Sequence, residues 1–217
     1  MQRVLMVSAS VVAMAWAANA VADSPNLKGA YGFTGTAACL VAPGNSGPGT
    51  PTNPAGPSGF NSSLQPLTNG SSFSFSNAVE GIRTFNGDGT GTVMGTGVGV
   101  VGPPTPGPTG FPHFPPSASV ANFTFNFTYQ VNGDGTWTST MTPGTYLETI
   151  VAGPRSIPTH QTATVDAIPP LSGWISNDGK TLIAAHQDAI VETHTYSNGD
   201  VDPQICHRSR VFISIGP

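Results

Sequence analysis

The chain has 217 residues, with seven Lys or Arg against eleven Asp or Glu, so only 8% carry charge, where a soluble domain averages about 25%. Its 27 glycines and 21 prolines exclude a helical bundle, because each interior Gly costs about 1 kcal/mol and each Pro about 3, and 38% hydrophobic residues exclude a chain with nothing to bury. The net charge of −4 excludes the basic surface that a nucleic-acid partner requires.

The first element reads as an export signal. Arg3 precedes an apolar or small-residue run from Val4 to Ala18, followed by Ala18-Asn19-Ala20 and Ala20-Val21-Ala22. This is the order of a signal peptide over residues 1–22, cleaved after Ala22. The run is short of the roughly 20 apolar residues of a spanning helix, and no later segment is longer, so no membrane span is expected in the mature chain. Residues 23–217 then form one domain, secreted or periplasmic. The only cysteines, Cys39 and Cys206, meet an oxidising compartment there, and a disulfide between them is expected.

The remainder reads as strand after strand. Tyr31, Phe33, Gly35, Ala37, Cys39 and Val41 alternate with neighbours such as Thr34, Thr36 and Leu40; Phe73, Phe75, Val79 and Phe85 share a face. From Val120 to Val131, Phe123, Phe125, Phe127, Tyr129 and Val131 alternate with Asn122, Thr124, Asn126, Thr128 and Gln130. This period of two marks a half-buried antiparallel strand. Shorter strands fit Thr136–Met141, Thr145–Val151, His160–Ala167, Leu171–Ser176, Lys180–His186, Ala189–Tyr196 and Gln204–Ile215. Asn86-Gly87-Asp88-Gly89 and Asn132-Gly133-Asp134-Gly135 favour the positive φ of tight hairpin turns; Asn177-Asp178-Gly179 and Asn198-Gly199-Asp200 are similar. The same strings match part of a calcium loop, but hairpins explain them better.

Two connections are long and rich in Pro and Gly, Ala42 to Gly70 and Gly102 to Ser119. In a meander they share one rim and the tight turns the other. A Cys39–Cys206 bridge joins the first strand to the last and closes the sheet. The expected fold is all-β, an antiparallel up-and-down β-barrel of eight to ten strands, with two of the runs merging near Ile168-Pro169-Pro170.

Leu27-Lys28-Gly29-Ala30-Tyr31-Gly32-Phe33, the repeated Asn-Gly-Asp-Gly-Thr and Cys206-His207-Arg208-Ser209-Arg210 resemble small secreted barrels of the calycin-like and allene-oxide-cyclase-like groups. The resemblance implies the fold. It also implies that Tyr31, in Gly29-x-Tyr31, packs against Arg208 or Arg210. It implies no activity.

Several motifs fail on context. Gly97-x-Gly99-x-x-Gly102 lacks the helix that a dinucleotide needs, because Pro103-Pro104 follows. Gly44-Asn45-Ser46-Gly47-Pro48 lacks partner His and Asp contexts. Glu192, His194 and Tyr196 share a face and, with His186 or His207, have metal-ligand chemistry; ordinary strand histidines explain them better. No catalytic residue, metal or cofactor is expected. Arg83 shares the face of Phe73 and Phe85, so it is expected to be buried with a carboxylate partner. Arg208 and Arg210 share the face of Cys39, and Glu148 and Glu192 are available to them. These arginines read either as an anion anchor or as a buried ion pair closing the bottom. Phe111, His113 and Phe114, in the second long loop, read as a plug or as ligand contacts at the mouth.

The leading expectation is binding of a small apolar or amphipathic ligand at the long-loop mouth, with Phe111, His113, Phe114, Arg83, Tyr129, Arg208 and Arg210 as contacts. A surface-interaction protein without a ligand is an alternative, as is a cyclase- or isomerase-type barrel enzyme.

Overall fold

The computed structural model describes residues 27–42, 44–45, 59–67, 72–101, 117–153, 161–166, 168–186 and 188–216. The strands are β1 (Lys28–Val41), β2 (Gly44–Asn45), β3 (Phe73–Asn86), β4 (Thr90–Val101), β5 (Ser117–Val131), β6 (Thr136–Met141), β7 (Leu147–Ala152), β8 (Thr162–Val165), β9 (Leu171–Ile175), β10 (Thr181–His186), β11 (Val191–Tyr196) and β12 (Asp200–Gly216). They form one antiparallel sheet. Because β1 pairs with both β3 and β12, the sheet closes on itself and the fold is an all-β barrel.

The closure happens twice, at two heights. β1, β3, β4, β5 and β12 run the full height. Near one rim β6, β9 and β10 bridge from Phe127–Val131 of β5 to Ser209–Ile213 of β12. Near the other rim β7, β8 and β11 bridge from Val120–Thr124 to Val201–Ile205. Each level is a ring of eight strands. The runs flanking Ile168-Pro169-Pro170 therefore do not merge: β8 belongs to one level and β9 to the other.

One rim is closed by the tight turns after β3, β5 and β9. In two of them the Asp88 and Asp134 carboxylates accept from the backbone N–H and hydroxyl of Thr90 and Thr136, at 2.9 and 2.6 Å in both. Gly87 and Gly89, both at φ 87°, take a conformation that side chains disfavour. At the opposite rim lie Val41, Phe73, Val101 and Ser117, the strand ends from which the long connections depart. Most of those connections, the expected signal peptide over residues 1–22, and Phe111, His113 and Phe114 lie outside the described residues.

The alternating faces fall as the sequence predicts. At the closed rim Phe85 is ringed by Tyr31, Phe127, Tyr129 and Trp137, with centroids 4.9–6.1 Å away. Burying each such ring contributes about 1.5–3 kcal/mol. On β4 the inward row includes Gly91, Gly95, Gly97 and Gly99. A Cβ at Gly91 would lie 2.3 Å from the Phe127 ring, at Gly95 2.7 Å from Phe123, and at Gly99 2.3 Å from Phe75. Rings from the neighbouring strands thus lie across the bare backbone of β4. At Gly97 no such ring intrudes; the nearest atom is Cγ1 of Val79, at 3.4 Å.

Cys39 and Cys206 are register partners and are joined by a disulfide. β12 begins four residues before the predicted Gln204. Pro203 reads as a breaker because it cannot donate to a ladder. Its carbonyl accepts from Ala42 N–H at 2.9 Å, so the hydrogen it lacks would point to the side where β1 has just ended.

Candidate functional site

Above the aromatic floor lies a cavity of about 410 Å³ that extends to the strand ends from which the long connections depart, within the size range of ligand pockets. Its two sides differ. One is apolar, from Phe33, Val79, Val93, Phe123 and Phe125 with the Gly97 and Gly99 backbone. The other carries Glu148, His186, His194, Gln204, Arg208 and Arg210.

Glu192 anchors the polar side and has no exposed surface. Arg208 holds it with two hydrogen bonds, Nη1 to Oε2 at 2.8 Å and Nη2 to Oε1. Burial, the largest single effect, would push the Glu192 carboxyl up, but the charge and hydrogen bonds of Arg208 together with His194 outweigh it and hold the carboxyl well below the usual carboxylate range. Gln204 Nε2 is 2.7 Å from both Glu192 Oε1 and His194 Nε2. Its N–H groups serve both, so the His194 proton sits on Nδ1, 3.9 Å from Glu148 Oε2. A second proton on His194 requires the amide to turn its oxygen to the ring. Burial opposes that charged form, yet the bond and charge of Glu192, with the charge of Glu148, raise the His194 pKa overall. Tyr146 O–H donates to Glu148 Oε2 at 2.7 Å, and burial, then Glu148, raises its pKa.

His186 accepts from Arg208 Nη1 at 3.3 Å. Burial and the Arg208 charge lower its pKa to about 4. A depressed histidine contributes stability that is present above its unfolded value, near 6.5, and is lost as pH falls through the folded value. Between pH 6.5 and 4, His186→Gln is therefore expected to lose less stability than wild type, by on the order of 1–3 kcal/mol. Thermal melts across that range check this; parallel pH curves would show that His186 titrates alike in the folded and the unfolded chain, with no depression of its pKa.

Arg83 departs from expectation. It is buried on the core face, as predicted, but no carboxylate meets it among the described residues. Its guanidinium carbon lies 3.7 Å from the Phe127 centroid, 5.5 Å from Phe85 and Trp137, and 5.6 Å from Phe212. Ring faces attract a desolvated cation and so replace the counter-ion. Arg83 also donates from Nη2 to Ser139 Oγ, while its Nε has no hydrogen-bond partner. Burial, then the charge of Arg210, lowers its pKa to about 9.

Arg83, Arg208 and Arg210 all line the cavity. Among the described residues only Arg208 of the three is in an ion pair; Arg210 donates through Nη1 to the Thr36 and Ser209 carbonyls, both at 2.7 Å. Tyr129 belongs to the floor instead, its hydroxyl donating to the Leu27 carbonyl at 2.6 Å. The contact of Tyr31 with Arg208 or Arg210 is not made. Tyr31 O–H donates to the Gly179 carbonyl at 2.7 Å, because Tyr31 lies at the closed rim and those arginines stand higher on β12. Of the histidines considered as metal ligands, His186 and His194 face inward and His207 faces out. The described residues contain no group of three or more His, Cys, Asp or Glu placed to hold a metal ion, and no helix among them is long and apolar enough to cross a membrane. The sequence reading missed Tyr146. It also missed the inward glycine row of β4, whose signal is Gly at 91, 95, 97 and 99.

Comparison with protein-family models, curated proteins and solved structures found no match.

Proposed function

We propose that this is an exported protein that takes a small amphipathic molecule into the ring through the open rim. The observation that carries the reading is the two-sided cavity, with Phe33, Val79, Val93, Phe123 and Phe125 set against Glu148, His186, His194, Gln204, Arg208 and Arg210. A disulfide joining β1 to β12 fits an oxidising compartment. The eight-stranded ring adds support at the level of architecture, since barrels of that size commonly enclose one small ligand.

Gly97→Leu tests the reading, because Gly97 is the inward glycine of β4 with room above it. The probe is N-phenyl-1-naphthylamine, an uncharged fluorophore that brightens in apolar surroundings. Wild type is expected to bind it, and Gly97→Leu to bind at least tenfold more weakly with a melting temperature within a few degrees. No binding to wild type, or undiminished binding to the variant, overturns the proposal.

A second reading, an acid–base enzyme of cyclase or isomerase type, is favoured by one arrangement. His194 faces the cavity between Glu148 and Glu192, with Tyr146 bonded to Glu148. A proton donor and acceptor side by side is what such a reaction uses.

A further inference from the structure

We propose that the ligand carries an oxyanion, a carboxylate or sulfonate on an apolar body, and that Arg83 and Arg210 hold this head at the bottom of the cavity while the body lies along the glycine wall toward the open rim. The inference rests on the binding function proposed above and specifies the chemistry of the molecule bound.

Three observations carry it. First, Arg83 is only 5% exposed and lines the cavity, yet it has no carboxylate among the described residues and its Nε is unpaired. A buried charge lacking both is costly, and native structures rarely keep one without a use for it. Aromatic faces stabilise the charge but take none of its N–H donors. Second, a second cation lines the same cavity. Arg210 also lines the cavity, and its only hydrogen bonds among the described residues are to the backbone carbonyls of Thr36 and Ser209. The two guanidiniums are near enough for the Arg210 charge to weigh on Arg83, and neither is neutralised by the other. Third, the charges are sorted by height. Asp200 and Asp202 line the cavity near the rim of the long connections, Glu148 stands on β7 in the level nearer that rim and accepts from Tyr146, and Glu192 is taken by Arg208. The bottom is left positive, and a low-dielectric surround strengthens its pull on an anion. Guanidinium N–H groups suit an oxyanion, since charge-assisted bonds to carboxylate-like oxygens are the strong ones.

The test uses two fluorophores that differ by one group. 1-Anilinonaphthalene-8-sulfonate is N-phenyl-1-naphthylamine with an added sulfonate. Wild type is expected to bind the sulfonate at least tenfold more tightly than the uncharged compound. This ratio is expected to fall to about one in Arg83→Met, and to fall several-fold in Arg210→Gln, with Gly97→Leu weakening both probes. Arg210→Gln, a change on the cavity wall, keeps the test open should Arg83→Met fail to fold. A wild-type ratio near one, or an undiminished ratio in the folded arginine variants, overturns the inference and leaves the binding function standing. Failure of wild type to bind either probe overturns both.

Discussion

Replacing Arg208 by alanine is expected to destabilise the protein by on the order of 3–5 kcal/mol, lowering Tm by roughly 6–20 °C for a chain of this size. Glu192 is wholly buried, and Arg208 supplies both of its strong charge-assisted bonds. Without them a carboxylate stays in the interior with the Gln204 amide as its donor, too little to offset its desolvation. The pH dependence separates this cause from a loss of packing. In wild type the Glu192 pKa is depressed, so its stabilisation is present above about 4.5 and is lost as pH falls through the folded value. In Arg208→Ala burial acts with less opposition and favours the neutral acid, so the gap in Tm between the proteins should narrow from pH 7 toward pH 4. Replacing the pair together, Glu192→Leu with Arg208→Met, should recover much of the loss, because no buried charge is then left alone. A Tm for Arg208→Ala within 2 °C of wild type would contradict the account.

Cys206→Ala is expected to produce a loss of comparable size. The bond spans a sequence separation of 167, for which the chain-entropy relation gives about 5 kcal/mol as an upper value, or up to roughly 10–20 °C in Tm. The same bond predicts that thiol reagent finds nothing to label in unreduced, denatured protein. Two labelled thiols per chain would show that it does not form. Because β1 and β12 also pair along Tyr31–Val41, the reduced protein should retain a closed ring at low temperature. The effect belongs in the melting temperature, with the room-temperature circular dichroism little changed.

Facing was legible in the sequence; neighbourhood was not. Alternation with a period of two states which side chains share a side, and Tyr31, Phe33, Phe85, Arg83, Cys39 and Phe127 are buried together as read. The two cysteines then fixed the parity of the last strand, which placed Arg208 and Arg210 inside. Periodicity carries no information about what lies across a ring. It put Arg83 in the core but could not show that aromatic rings, with no carboxylate, would meet it. Nor could it show two levels of closure, because six short strands with equal alternation can be stacked or set side by side. That choice depends on β5 and β12 being long enough to pair with two partners each along one edge. The Gly97-x-Gly99-x-x-Gly102 string looks like a phosphate loop. Its first two glycines lie on β4, where missing side chains leave room for rings and an open space.

The placement of β12 has a consequence for how the protein is made. Both rings close through β12, and every other strand precedes it in the chain. While synthesis or vectorial transport has delivered only the residues before Asp200, neither ring exists. The growing product is then an open, curved ribbon with the phenylalanine row of β5 exposed and β1 an unpaired edge, the kind of surface that aggregates. A truncation that removes β12 abolishes both levels at once, and no shorter, half-height version of the molecule can be cut from it.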